Sequence, residues 1–334
     1  MNRASLPALL TITLSCAALP AQAATTPSDL AVLGTVPLAG LEAKPMQAYT
    51  IGKGSPLNFT LQKAEYSVGR VVIGQSVVTP TADQKLLVLH FQVANPQKQD
   101  VYLNGQTLTF TAVDAQNTNC PAFGYIGRVG SGEAVGMHLK PSQKLDVFTV
   151  VVVPATGPVP KLIVEREQGA GVLRYDLRKV AAPLSAPYAD PKDTSGTSAL
   201  SAVPAVPGRS YPLENFDLSL ETLDFSDGKF DGRISRSGSR FLVATVLLRN
   251  QAPRESYLGL QTFMPEIQDA DGERMRYVTV LKASRDEIPG QQIAPGAEYR
   301  VRYVFEVPAG ASLRTLVFQE GRAHSLLFDM SKMR

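Results

Sequence analysis

The chain has 334 residues, of which 44% are hydrophobic and 19% are charged, and its formal net charge is +3. These values are typical of a folded protein long enough for two domains, and they exclude a largely disordered chain. Because the charge is nearly balanced, nucleic acid is not an expected partner.

Residues 1–23 have the three parts of a secretory signal peptide. Arg3 supplies the positive charge, residues 6–19 form a short apolar stretch, and residues 21–23 (Ala-Gln-Ala) fit the cleavage pattern. The apolar stretch is too short for a membrane-spanning helix. We therefore expect an exported protein of the periplasm or cell surface, with no transmembrane segment in its mature chain. Lipoprotein processing at Cys16 is the alternative.

The next part of the chain is predicted to be an extended lead-in followed by an all-β domain. Residues 24–55 are rich in Ala, Pro, Thr and Gly, with one strand predicted at 47–51. Residues 56–180 then contain apolar or alternating segments bounded by turn residues, a pattern that predicts β-strands. The segments are residues 57–66, 70–78, 86–93, 101–113, 145–153, 161–166 and 172–177. No run of ten or more residues has convincing helical periodicity.

One strand of this domain recurs later in the chain. Residues 85–95 (KLLVLHFQVAN) and 240–250 (RFLVATVLLRN) both begin with a cation, continue with apolar residues and end on Asn. Further pairs keep an offset of 154 or 155 positions: Asn95 and Asn250, Tyr102 and Tyr257, Leu103 and Leu258, Asp114 and Asp269, Pro141 and Pro295, Pro154 and Pro308. This offset predicts a tandem duplication, with a second β-domain at residues 213–334.

The segment between the two copies, residues 181–212, differs from both in composition. It carries repeated prolines together with Ala, Ser, Thr and Gly. Proline donates no backbone hydrogen bond, and small polar residues bury little surface. We therefore predict a semi-extended, mobile linker.

The fold predicted from these elements is a pair of tandem immunoglobulin-like β-sandwich domains joined by the Pro/Ala/Ser-rich linker. Several short strands per copy, separated by turns and without helices, favour this class. The likeness to antibody domains is architectural only, because the chain has no Trp and therefore lacks the Cys-Trp-Cys signature of such domains.

The repeat also predicts which face of a strand is buried. The core-facing sets of the two matching strands are Leu87, Leu89, Phe91 and Val93 in the first copy and Leu242, Ala244, Val246 and Leu248 in the second. In residues 299–307 the alternation of side chains places Arg302 and Glu306 on the outer face. The matching outer positions of the first copy are apolar: Phe148, Val150 and Val152. An apolar outer face predicts a cover. The cover is the lead-in, the other domain or another chain (including a homo-oligomer), or else extra loops of the first domain itself.

Motifs in both copies resemble a family of secreted bacterial domains. Residues 293–299 (IAPGAEY) lead into residues 304–309 (VFEVPA), and residues 269–272 (DADG) have the form of that family's hairpin. The strands that end in Asn95 and Asn250 resemble its central strand. The family is the immunoglobulin-like domain-of-unknown-function family 4352.

This resemblance covers about residues 57–178 and 215–330. The first copy departs from it, since residues 141–143 are Pro-Ser-Gln where the family has Pro-Gly-Ala, and residues 150–153 lack the Phe-Glu pair. The resemblance implies an extracytoplasmic binding or stabilising module and brings no catalytic residues with it.

Three residues of the first copy are candidate ligands for a soft metal: Cys120, Met137 and His138. Copper accepts thiolate, thioether and imidazole ligands, and the second copy has no counterpart to this set. The alternative is a surface histidine beside a core methionine. If cleavage follows Ala23, Cys120 is the single cysteine left, so an intramolecular disulfide is excluded.

Asp269 and Asp271 have the D-x-D-G spacing that opens a calcium loop. A β-hairpin with Asp-Gly at its tip explains the same residues without a metal. Copper and calcium are thus the two cofactors that the sequence raises.

Motifs for catalysis are missing from the sequence. It has no Gly-x-Ser-x-Gly elbow and no glycine-rich phosphate loop. We therefore predict a non-enzymatic, exported binding or scaffold protein of the cell envelope, acting through contacts with an envelope protein or the cell wall. The alternative is a periplasmic copper-binding or small-ligand-binding protein with a redox role, and a hydrolase is a third reading.

Overall fold

The computed structural model describes residues 42–331, and all regular elements within this range are β-strands. The predicted all-β class is therefore confirmed. The predicted signal peptide and the lead-in up to residue 41 lie outside the described residues. Within residues 42–331 the structure contains no helix long and apolar enough to cross a membrane.

The N-terminal half is built from two main sheets and two small ladders. Its strands are β1 (Tyr49–Ile51), β2 (Leu57–Ser67), β3 (Val71–Ile73), β4 (Ser76–Val78), β5 (Gln84–Ala94), β6 (Val101–Asn104), β7 (Thr109–Val113), β8 (Asn119–Pro121), β9 (Gly127–Arg128), β10 (Gly136–Leu139), β11 (Lys144–Pro154), β12 (Lys161–Glu165), β13 (Leu173–Asp176) and β14 (Ala181–Ala182). One sheet has the order β1-β2-β5-β11-β9, with β14 beside β2, and the other has the order β13-β12-β7-β8. The ladders are β3-β4 and β6-β10.

The core of this half lies between the two main sheets. Phe91 of β5 packs on Phe110 of β7 with 5.0 Å between ring centroids, and Phe59 of β2 lies 6.1 Å from Phe110. The core-facing residues predicted for β5 are each 0% exposed: Leu87, Leu89, Phe91 and Val93. Strict alternation along a pleated strand explains why the sequence is sufficient to identify this set.

The apolar outer face of β11 is covered by the chain's own β3-β4 hairpin. Ile73 and Val78 of the hairpin pack with Val150, which is 1% exposed, while Phe148 and Val152 are half-buried in the same cluster. The hairpin is a local insertion of the first domain, which is one of the covers predicted from the sequence. An interface with another domain or chain at these positions stays a prediction.

The C-terminal half is one continuous sheet that folds around a second core. Its strands are β15 (Ala202–Ala205), β16 (Tyr211–Pro212), β17 (Phe216–Ser226), β18 (Ser239–Asn250), β19 (Ser256–Leu258), β20 (Glu266–Asp269), β21 (Arg274–Lys282), β22 (Gln291–Ile293), β23 (Glu298–Pro308), β24 (Leu313–Phe318) and β25 (Ser325–Asp329). The order is β15-β25-β24-β20-β21-β23-β18-β17-β16, with a separate β19-β22 ladder. Strand β21 pairs with β20 through its first residues and with β23 through its last.

Asn95 and Asn250 end the central strands of the two halves with the same hydrogen bonds. Each is buried, each side-chain amide donates to two backbone carbonyls, and each side-chain oxygen accepts one backbone N–H. The partners of Asn95 are Gln99, Leu139 and Gln97, and those of Asn250 are Arg254, Ile293 and Ala252. The partners keep the offset of 154 or 155 positions seen in the sequence.

The segment predicted as a mobile linker, residues 181–212, is paired at both ends. Strand β14 runs parallel to β2 of the first half, and β15 runs parallel to β25 of the second. Pro204 is compatible with β15 because an edge strand needs hydrogen-bond donors on one side only. The segment thus adds an edge strand to each half.

Candidate functional site

Two adjoining clefts open at one end of the C-terminal half. The first has a volume of about 400 Å³ and the second of about 490 Å³. Gln261, Thr262 and Gly321 line both of them. This is the size range of ligand and side-chain pockets, so we take the joined clefts as the candidate site.

The buried end of β18 positions one wall of the first cleft. Asn250 donates from Nδ2 to the carbonyl oxygen of Arg254 at 3.0 Å, and its Oδ1 accepts from Ser256 Oγ at 3.2 Å. Residues 254–257 are thereby held against the core and line the cleft. The other wall is the turn that precedes β17, residues 214–216.

Glu320 lies at the base of the first cleft and is 4% exposed. Its carboxylate accepts the backbone N–H groups of Asn215 at 3.0 Å and Phe216 at 3.2 Å, together with Asn215 Nδ2 at 3.0 Å. Burial raises the pKa of Glu320 and the neighbouring charge of Glu214 adds to this rise, whereas the hydrogen bonds oppose it. Glu320 therefore fixes the turn that forms the cleft wall.

The N-terminal half repeats this device with Glu167. Its carboxylate accepts the backbone N–H groups of Lys53 at 2.8 Å, Gly54 at 3.1 Å and Ser55 at 3.2 Å, in the turn before β2. These hydrogen bonds lower the pKa of Glu167. A carboxylate that anchors the same turn in both halves has a structural role, because its oxygens are engaged by backbone groups.

A second carboxylate of the first cleft, that of Glu214, packs closely against Gly321. A Cβ atom at this position would lie 2.1 Å from Oε2 of Glu214, and its φ of +54° is in the left-handed region. Glycine is the residue that meets both conditions. The lining residues of the first cleft include Glu214, Glu255 and Glu320, with Arg254 as their one cation, so the balance of this cleft is acidic.

Exposed apolar side chains surround the mouth of the clefts. Tyr257 is 59% exposed, Leu260 43% and Met264 67%. The loop that carries Leu260 is held by Tyr277, whose hydroxyl donates to the Leu260 carbonyl oxygen at 2.5 Å. Solvent-exposed apolar groups beside a cleft are typical of surfaces that contact a partner.

The structure places the three predicted copper ligands on two different sheets. Cys120 lies on β8 of one main sheet, and Met137 and His138 lie on the separate β6-β10 ladder. Met137 Sδ accepts from Arg128 at 3.4 Å, whereas the exposed His138 ring packs on Tyr102 with centroids 5.0 Å apart. Within residues 42–331 no group of three or more His, Cys, Asp or Glu is placed to hold a metal ion.

The protonation of the Cys120 thiol also disfavours copper binding at this residue. Burial, with a smaller contribution from Asp114, raises the pKa of the Cys120 thiol, and the thiolate is the form that binds metals. Copper binding at this residue stays a prediction that no contact of the described chain favours.

The predicted calcium turn is a hairpin whose carboxylate is engaged by its own backbone. Oδ1 of Asp269 accepts the N–H groups of Asp271 at 3.0 Å and Glu273 at 2.9 Å. Gly272 at the tip has a φ of +84°. Asp114 closes the corresponding turn of the first half in the same way, with N–H groups of Gln116 and Thr118. Turn geometry therefore accounts for the D-x-D-G spacing.

The sequence did not lead us to predict the residues of the clefts, although the alternation around Tyr257 was a signal for one of them. Tyr257 and Tyr102 are repeat partners that precede the fully buried Leu258 and Leu103. Alternation therefore predicts that both tyrosines are exposed, as they are, at 59% and 49%. Glu320 and Gly321 gave no such signal, because their role depends on residues more than a hundred positions away.

Comparison with known proteins shows that the second half is similar to a recognised domain family. Residues 213–325, about a third of the chain, match the model of the Domain of unknown function (DUF4352). The resemblance predicted for this half is confirmed, and that of the first half stays a prediction. No curated protein matches the chain.

Two solved structures match parts of this chain at low sequence identity. An uncharacterized β-sandwich protein from Clostridium difficile 630 is 14% identical with a TM-score of 0.32, over 38% of this chain and 93% of that chain. The secreted protein MPT63 from Mycobacterium tuberculosis is 17% identical with a TM-score of 0.29, over 41% of this chain and 96% of that chain.

Proposed function

We propose, from the family match of residues 213–325 and from the joined clefts within that half, that this chain is an exported, non-enzymatic binding protein of the cell envelope. The partner is an envelope protein that docks on the end of the C-terminal half. The observation that carries this proposal is the set of exposed apolar side chains beside two clefts, led by Tyr257 and Met264.

Binding, rather than catalysis, agrees with how the cleft residues are used. The buried carboxylate of Glu320 is committed to three hydrogen bonds that hold residues 215–216. If this carboxylate moved or changed its hydrogen bonds during a reaction, residues 215–216 would lose the contacts that hold them in the cleft wall. A structural carboxylate, an acidic lining and an apolar rim together form a preorganised contact surface.

The two clefts favour a partner with two features. Met264 and Tyr277 line the second cleft and offer apolar contact to an inserted side chain. Glu214 and Glu255 in the first cleft favour a positively charged group, because charge complementarity steers association and selects partners. An exposed segment carrying an apolar residue near a Lys or Arg has this chemistry.

Truncation of the rim tests the proposed surface. Once the partner has been identified by cross-linking the native protein in its envelope fraction, its affinity is measured for Tyr257→Ala and Met264→Ala. We expect each variant to bind at least about tenfold more weakly, since central anchor residues typically cost about 2 kcal/mol or more when truncated.

Ile234→Ala is the matched control for this experiment. Ile234 is 77% exposed and precedes the start of β18, whereas the clefts adjoin its other end at Asn250. The control should bind like the native protein. Equal affinity for all three variants, or a wall polysaccharide as the captured component, would contradict the proposed protein partner.

Export is tested separately by N-terminal sequencing of the protein recovered from fractionated cells. The Ala-Gln-Ala motif of residues 21–23 leads us to expect Ala24 as the first residue of the mature chain, in the periplasmic or surface fraction. A full-length chain in the cytoplasm, or a lipid attached to Cys16, would show that this assignment is wrong.

A further inference from the structure

We infer that His324 is a proton-controlled clamp that holds the two halves of the chain and the segment between them in one arrangement. The ring is 5% exposed. Its Nδ1 faces the carbonyl oxygen of Leu200, and its Nε2 lies 3.1 Å from the carbonyl oxygen of Gln84. This inference concerns the junction between the halves and is independent of the proposed partner.

Both ring nitrogens of His324 face groups that can only accept a hydrogen bond. A neutral imidazole has one N–H, and its other nitrogen carries a lone pair. The neutral ring would therefore place a buried lone pair against the oxygen of either Leu200 or Gln84. Only the imidazolium donates to both, so the geometry assigns the protonated ring to this arrangement.

The three groups in this contact belong to three different parts of the fold. His324 precedes β25 of the C-terminal half, Gln84 begins β5 of the N-terminal half, and Leu200 lies in the connecting segment before β15. Protonation of one side chain thereby links all three parts.

Two backbone hydrogen bonds join the segments that neighbour His324, Gln84 and Leu200. The N–H of Ala82 donates to the carbonyl oxygen of Arg322 at 3.0 Å, and the N–H of Ser325 donates to that of Ser201 at 3.1 Å. These bonds flank the ring on both sides. Because the backbone is tied down, a neutral ring cannot relieve its repulsion by a small shift.

The charged groups around the ring act in opposite directions. Asp83, next to Gln84, favours the cationic ring; the pKa of Asp83 is lowered chiefly by the hydrogen bond from Thr81, with small contributions from Arg322 and His324. Arg322, two positions before His324, opposes its charge. Lys85 follows on β5 and donates to carbonyl oxygens of Ala155, Gly157 and Thr197.

A third contact between the halves, made by Arg70, does not depend on His324. The Arg70 guanidinium donates to the carbonyl oxygens of Leu213 at 3.0 Å and Phe216 at 3.2 Å, and it pairs with the carboxylate of Asp217. When the imidazolium loses its proton, the Arg70 contact and the Ala82–Arg322 hydrogen bond therefore remain. We expect the halves to become more mobile relative to each other rather than to separate.

The clamp is tested on the full chain by the distance distribution between two spin labels, one in each half. Exposed Gln116 and Arg314 are suitable positions, in a Cys120→Ser background. Spectra are recorded at about pH 5.5 and about pH 8.5, on either side of the ordinary histidine pKa of about 6.5. We expect a narrow distribution at the lower pH and a broader one at the higher pH.

Two variants separate the clamp from other effects of pH. In His324→Gln the amide can donate to one carbonyl but turns an oxygen towards the other, so its distribution should be broad at both pH values. His138→Gln changes the exposed histidine on β10 and should behave like the native protein. Distributions that are equally narrow at both pH values in the native protein would overturn the inference.

A direct measurement of the ring covers the case in which His324→Gln does not fold. Nitrogen NMR of the native protein at about pH 6 should show two protonated nitrogens at His324, the pattern of an imidazolium. A neutral His324 in the protein whose halves are held together at that pH would refute the assigned protonation state.

Discussion

Asn250→Ala is expected to lower the free energy of unfolding of the C-terminal half by about 3 kcal/mol, since each buried group left unpaired costs about 1–3 kcal/mol. Asn250 is 0% exposed. Its Nδ2 donates to the carbonyl oxygens of Arg254 at 3.0 Å and Ile293 at 2.7 Å, and its Oδ1 accepts the N–H of Ala252 at 2.9 Å. Alanine removes these three bonds and the bond from Ser256 Oγ, and it leaves the buried backbone groups without a replacement partner.

The same substitution should also disturb the clefts. The bonds of Asn250 hold residues 252–256, part of which forms the wall of the first cleft. Partner binding should therefore weaken under conditions in which the variant is still folded. Unfolding in denaturant measures the first effect, and the binding assay with the identified partner measures the second.

Two further variants serve as a matched comparison and a control for Asn250→Ala. Asn95→Ala removes the matching bonds of the N-terminal half and should destabilise that half to a similar extent. Asn119 is exposed on β8, so Asn119→Ala should change stability by less than about 0.5 kcal/mol. A loss at Asn250 no larger than that of Asn119→Ala would contradict the structural role assigned to the buried amide.

Lys85→Met is expected to cost about 3 kcal/mol of stability, because it removes three hydrogen bonds to carbonyl groups in a buried site while keeping the length of the side chain. Lys85 is 0% exposed. Its Nζ donates to the carbonyl oxygens of Ala155 at 3.0 Å and Gly157 at 2.6 Å, and to that of Thr197. It also lies 4.7 Å from the centre of the Tyr66 ring.

The contact with Thr197 gives this prediction a second readout. Thr197 belongs to the segment between the halves, so the variant should release that segment and make residues 183–200 easier to cleave by protease. Lys63→Met is the control, because Lys63 is exposed on β2. Identical cleavage of the native and Lys85→Met proteins would argue against an anchoring role for this ammonium group.

The titration of Lys85 adds a dependence on pH. Burial lowers the pKa of Lys85 from 10.5 to about 8, and the charge of Asp193 opposes the decrease. Between these values the unfolded chain binds more protons at this residue than the folded chain does. Its contribution to stability therefore increases as the pH rises from about 8 to 10.5. The difference in unfolding free energy between native and Lys85→Met proteins should grow over this window, and a constant difference would disprove the effect.

Local pattern was sufficient to predict the class of fold and the buried faces of the central strands. Leu242, Ala244, Val246 and Leu248 were predicted to face the core of the second half, and each is 0% exposed. Alternation along a pleat and a constant repeat offset are properties of neighbouring positions, so they can be read without knowledge of the tertiary structure. The same reasoning singled out Asn95 and Asn250, whose hydrogen bonds the structure then showed.

Only the tertiary structure decided which segments cover the central strands and how the two halves are connected. The cover over Val150 comes from the β3-β4 hairpin, and the prolines of the connecting segment are accommodated because β15 is an edge strand. No local periodicity carries this information, since the pairing partners lie far away in sequence.

The clefts and the contact of His324 between the two halves also depend on residues that are far apart in sequence. Glu320 meets residues 215–216 across about a hundred positions, and the ring of His324 meets Gln84 and Leu200 from still farther apart. Composition and spacing were sufficient to predict an all-β chain of β-sandwich class without a recognisable catalytic motif. Which carboxylate is buried, which histidine faces two carbonyls and which tyrosine borders a cleft follow from long-range packing, because only folding brings those groups together.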